Sequence, residues 1–139
     1  MRAIEAPAVL IWAAVLTVTD IRYRRLPNAL TLGGAAVIAV AAALSGRGTA
    51  ALAGAAALGA VYLAVHLVAP AAMGAGDVKL ALGLGAFTAT FGADVWALAA
   101  VGAPLLTAVA GLVRRRRGPA PHGPAMCLAS LAAVGLAVL

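Results

Sequence analysis

Apolar residues run along this chain in long unbroken stretches, without the alternation of a half-buried strand or the single stripe of a soluble helix. Charge, glycine and proline interrupt them and leave six stretches, over residues 4–19, 29–44, 50–69, 78–91, 95–113 and 125–139. A helix needs roughly 20 apolar residues to cross roughly 30 Å of hydrocarbon. The pattern therefore predicts an all-α polytopic membrane protein with about six transmembrane helices. The stretches 78–91 and 125–139 fall short of that length. They are expected to sit in thinned bilayer or to lean on neighbouring helices. A membrane β-barrel would show alternating polar and apolar positions instead.

Composition sharpens this picture. Of 139 residues, 65% are hydrophobic and 10% are charged, and the mean hydropathy is +1.08. A soluble domain has about half its residues apolar and about a quarter charged. A soluble globular domain, a disordered chain and a coiled coil are thereby excluded, and residues 1–139 read as a single transmembrane domain with short loops. Alanine is abundant, and Ala50/Gly54, Ala55/Gly59 and Ala81/Gly85 have the small-xxx-small spacing that lets helix backbones approach in lipid. Composition alone would also generate such pairs.

The formal charge is +6, from ten basic and four acidic residues. Elsewhere such a balance would suggest nucleic acid. Here the cause is plainer, and no nucleic-acid partner is expected. Arg22, Arg24 and Arg25 follow the first stretch, Lys79 lies just past the loop after the third, and Arg114, Arg115, Arg116 and Arg117 follow the fifth, whereas only Arg2 and Arg47 fall on the other side. Retention of positive loops in the cytoplasm then places the N-terminus outside and loops one, three and five inside, in a plasma membrane. The four-arginine run reads as a topology and lipid-contact feature. The first stretch lacks a basic leader and is followed by its strongest charge, so it reads as a retained span and not as a cleaved signal.

The single Cys127 leaves no internal disulfide, and two distant histidines, His66 and His122, leave no metal site. No cofactor is expected. Cys127 reads as a small buried residue, His66 as a satisfied polar residue, and Trp12 and Trp96 as interfacial or packing residues. Ionisable groups at membrane depth are costly and often functional. Glu5 and Asp94 fall at the outer ends of stretches, where water is available, and Asp94 suits the cap of the fifth helix. Asp20 and Asp77 differ: one ends the first stretch and one opens the fourth, both on the cytoplasmic side of this topology. Two carboxylates at one depth on different helices can converge on one water. Asp20 also has arginines beside it to pair with, and Asp77 suits a helix N-cap, so position alone leaves both readings open.

The surrounding residues carry a resemblance. Gly74-Ala75-Gly76-Asp77-Val78-Lys79-Leu80 resembles the GxGD motif of the type IV prepilin peptidases, a family of intramembrane aspartyl proteases. Asp20 through Asn28, with Leu26-Pro27-Asn28 at its end, resembles that family's first aspartate motif, and Pro121-His122-Gly123-Pro124 resembles its Pro-Phe-Gly-Pro segment, with His122 in place of Phe. The resemblance covers essentially the whole chain. The methyltransferase domain with paired cysteines that many bacterial members carry has no counterpart here, so methyl transfer is not implied. The size is similar to the minimal peptidases of tight-adherence (Flp-type) pili and of archaeal preflagellins.

The resemblance implies removal of the leader from a prepilin-like protein, cut just after a glycine at the cytoplasmic membrane face. Asp20 and Asp77 would be catalytic. Gly74 and Gly76 would shape the loop carrying Asp77. Lys79 would orient substrate or simply snorkel to the headgroups, and Pro27, Asn28, Gly123 and Pro124 would complete the motif, with Pro27 starting or bending the entry to the second span. Partners would be the prepilin and membrane lipids. Prepilin leaders are typically basic, like this cytoplasmic face, so attraction would come from anionic lipids or from the aspartates at close range. Two other classes compete: a small proton-coupled transporter with the aspartates as proton sites, and a non-catalytic subunit of a pilus or secretion assembly. Transporter carboxylates tend to lie near mid-membrane, whereas both of these lie at span ends.

Overall fold

The structure, a computed structural model, describes residues 5–115 and 118–139. Arg2, Arg116 and Arg117, and Ile4 at the start of the first apolar stretch, lie outside them. Among the described residues there are six helices and no strand: α1 (Glu5–Tyr23), α2 (Asn28–Leu44), α3 (Gly48–Val68), α4 (Ala75–Ala89), α5 (Ala93–Val113) and α6 (His122–Val138). The six apolar stretches are these six helices, displaced at their ends.

Those displacements matter for the site. Helix α1 continues past Thr19 to Tyr23, so Asp20 lies in its last turn. Arg24, in the left-handed region at φ 50°, closes it with its N–H on the Asp20 carbonyl at 2.9 Å. Helix α2 starts directly after Pro27, whose fixed φ of −62° presents its carbonyl to the N–H groups of Leu30 and Thr31, each at 3.0 Å. Helix α4 begins at Ala75, three residues before the expected Val78. Gly74 is the N-cap and Asp77 the third helical residue. Asp77 N–H donates to the Gly74 carbonyl at 3.1 Å, and the Asp77 side chain accepts the Gly74 N–H at 3.3 Å. The second of these bonds is the N3 half of a capping box; glycine has no side chain to make the other half. Gly76 and Asp77 are therefore in a helical turn, not in a loop, and Asp77 is not the N-cap. Helix α6 starts at His122 because Pro124 falls in its first turn, where no N–H has an intrahelical partner to lose. Asp94 likewise sits in the first turn of α5, two residues past the N-cap Gly92.

Helix α4 is the hub. It packs most extensively on α3, then on α2, and also touches α5 and α6. From Leu80 to Thr88 every residue except Leu82 is buried. Fifteen residues span only about 22 Å, so this helix does lean on its neighbours. Its closest approach is to α3. A Cβ added to Gly85 would stand 2.5 Å from the Gly54 carbonyl, and one added to Gly54 would strike the Gly85 carbonyl and Ala89. The small residues at these positions let the two backbones meet. Both tryptophans are packing residues: Trp12 Nε1 donates to the Leu30 carbonyl at 2.8 Å, joining α1 to α2, and Trp96 Nε1 donates to the Gly54 carbonyl at 3.1 Å, joining α5 to α3.

By length and composition Ala6–Tyr23, Gly48–Val68 and Ala93–Val113 suffice to cross a membrane, and α2 and α6 are shorter apolar helices. Leu10, Ile11, Val37, Val101, Leu105 and Val109 face outward, each more than half exposed. An outer surface this apolar fits lipid and not water. The chain is a polytopic helical membrane protein. The α1–α2, α3–α4 and α5–α6 connections gather at one end of the bundle. At the other end the Arg47 guanidinium donates to the Thr90 carbonyl at 2.8 Å, tying the α2–α3 turn to the C-terminus of α4.

Candidate active site

The α1–α2 connection, the end of the α3–α4 connection and the adjoining helix ends line a cavity of about 640 Å³ at the first end. Its wall brings together residues far apart in the chain: Asp20 from α1, Pro27 and Asn28 at the start of α2, and Gly74, Gly76, Asp77 and Lys79 at the start of α4. Arg24, Arg25, Leu26 and Ala75 complete it. Seven of the nine positions singled out from the sequence thus share one wall. Gly123 stands behind it, bonded to Asp20, and Pro124 follows in the first turn of α6 without lining it.

Each carboxylate is held by a backbone N–H at a helix start. Asp20 is buried, 8% exposed, and its Oδ2 accepts the Gly123 N–H at 3.0 Å. That bond ties the end of α1 to the start of α6. Asp77 is half-buried and held by the Gly74 N–H. The two carboxylates come from separate helices and line one volume, together with the cations Arg24, Arg25 and Lys79.

Several supporting contacts were not legible in the sequence. Lys79 Nζ donates to Asn28 Oδ1 at 2.7 Å, so the lysine clamps α4 to α2 instead of reaching freely for headgroups. Leu26 packs over Gly76, where an added Cβ would stand 3.1 Å from the Leu26 Cβ. His66 Nδ1 donates to the Met73 carbonyl at 2.6 Å and braces the α3–α4 connection, the satisfied role expected of it. Cys127 is buried in the core, also as expected.

His122 was expected only as a departure from a motif. It is bonded at both ring nitrogens, Nε2 to the Tyr62 hydroxyl at 2.9 Å and Nδ1 to Thr107 Oγ1 at 2.5 Å. The Thr107 hydroxyl also reaches the Ala103 carbonyl at 3.0 Å, which only accepts. Its proton is thereby committed, so Nδ1–H donates to Thr107 and Nε2 accepts from Tyr62. No sequence spacing links residues 62, 107 and 122, which lie on α3, α5 and α6.

Fold and cavity together define a membrane-embedded helical bundle with a polar, paired-carboxylate site at one end. A family model described as the type IV leader peptidase family matches residues 8–138. The chain belongs to that family, and it is a peptidase of the leader-peptidase kind. No curated protein and no solved structure matches it.

Proposed function

We propose that the chain is an intramembrane aspartyl endopeptidase of the GxGD type, which removes the leader of prepilin-like proteins at the cytoplasmic membrane face. The reading rests chiefly on Asp20 and Asp77, which come from different helices, line one cavity and are each oriented by a backbone N–H. The family membership supports it independently.

The chemistry follows from two carboxylates and a water. Two acids sharing a site do not both ionise readily, so the pair holds one proton between them. The ionised member takes a proton from water as its oxygen adds to the scissile carbonyl carbon. The protonated member gives a hydrogen bond to the carbonyl oxygen. Collapse of the tetrahedral intermediate breaks the C–N bond, and the leaving nitrogen takes a proton from the pair. The proton belongs to the coupled pair and not to one residue. Pro27, Asn28, Gly74, Gly76 and Lys79 would shape the wall against which the leader lies, and Gly123 would aim Asp20.

The test is processing of a co-expressed prepilin, read beside membrane abundance. Asp20→Asn and Asp77→Asn are each expected to abolish cleavage, because Asn keeps the size but exchanges no proton. The double variant should be scarcely worse than either single, since residues acting as a unit are strongly non-additive. Asp94→Asn, at the other end of the bundle, should cut normally. Clear cleavage by either Asn single variant at normal abundance overturns the assignment and favours a proton-coupled transporter.

A further inference from the structure

We propose that His122 is a positioning residue for the peptidase reaction: bonded at both ring nitrogens, it fixes the first turn of α6 so that the Gly123 N–H points at Asp20. The inference rests on the proposed aspartyl-peptidase function, which it deepens.

The geometry carries it. His122 and Gly123 are adjacent, so whatever fixes the His122 ring also fixes the peptide that presents the Gly123 N–H. That ring is bonded to Tyr62 on α3 and to Thr107 on α5, and it packs against the Tyr62 ring with centroids 5.5 Å apart. Tyr62 is 5% exposed. A buried hydroxyl needs its partner, and losing one is costly. The series Thr107, His122 and Tyr62 thus runs from α5 through α6 to α3, while the next backbone N–H holds Asp20 at 3.0 Å. One residue thereby sets the position of one aspartate. Gly123 itself must lack a side chain, because a Cβ there would stand 2.5 Å from Asp20 Oδ2.

Two substitutions separate hydrogen bonding from shape. His122→Phe keeps a ring and removes both bonds. His122→Gln loses the ring but offers one donor and one acceptor. With purified protein and a synthetic prepilin peptide, His122→Phe is expected to lower kcat by about 10- to 100-fold, the scale of a misplaced reacting group, while KM stays within about twofold. His122→Gln should retain more of kcat than His122→Phe. Tyr62→Phe combined with His122→Phe should lose less than the two single losses multiplied, because both alter one bonded pair. A second readout needs no activity. In protein labelled with ¹⁵N-glycine, the Gly123 amide signal should shift and exchange faster in His122→Phe, and less so in His122→Gln. Better activity in His122→Phe than in His122→Gln, a loss confined to KM, or an unmoved Gly123 amide each overturn the positioning role. Failure of the wild type to cut, or full activity of Asp20→Asn, would instead overturn the peptidase reading, and the amide signal would still decide the role of His122.

Discussion

Asp20 and Gly123 are 103 residues apart in sequence and share a hydrogen bond. Their contact makes a sharp prediction. The three atoms nearest a methyl group added at Gly123 all belong to the Asp20 side chain, so the carboxylate is expected to yield before the helices do. Gly123→Ala is expected to lower cleavage by about 10- to 100-fold while changing stability by no more than about 1 kcal/mol. Parallel loss of activity and membrane abundance would contradict this. Gly76→Val should behave similarly for another reason. Its β-branched side chain would press on Leu26 and restrict the turn that carries Asp77. Normal processing by well-inserted Gly76→Val protein would make that glycine incidental. At this scale the sequence named both aspartates and the glycines beside them, because those residue types are rare or special in a lipid-soluble chain. It did not name Tyr62 or Thr107. A tyrosine and a threonine are ordinary on apolar helices, and only packing brings them to His122.

Among the helices, the six apolar stretches translate directly into six elements, since continuous hydropathy in lipid has one inexpensive backbone solution. The ends did not. Hydropathy marks where apolar residues stop, whereas α1 and α4 are ended by hydrogen bonds made by Arg24 and Gly74. The shift has a functional result: both aspartates lie on helical turns, not on loops. All three small-residue pairs contribute a glycine to the α3–α4 packing, Gly85 and Gly54 at the crossing and Gly59 against Leu82, whereas Ala50 itself is exposed. Gly85→Val would press on the Gly54 carbonyl and on Leu58, forcing backbones apart. It is expected to cost about 1–3 kcal/mol, read as a lowered thermal midpoint in detergent and reduced membrane abundance. Gly135→Val, where an added Cβ meets nothing within 4 Å, is the control and should match the wild type in both.

For the whole molecule, the cavity and its cations lie at the end where six of the seven described basic residues fall, Arg47 being the exception. On the proposed reading, the positive-inside rule puts that end in the cytoplasm. Single cysteines placed at Arg24 and Arg115 in a Cys127→Ser background should resist an impermeant external thiol reagent, and one at Arg47 should react. External labelling at Arg24 would put the aspartates in the wrong compartment. The enclosure of α4 bears, finally, on how the protein is made. This helix carries Asp77 and Lys79 in its first turns, spans about 22 Å, and buries nearly all of its remaining length against other helices. It therefore gains little from lipid on its own. Its partner α3, 21 residues long with a window hydropathy of 2.0, gains a great deal and is joined to it by a short connection. During biogenesis the pair is suited to enter the bilayer as one hairpin, so α3 carries Asp77 in with it before the rest of the cavity has assembled around it.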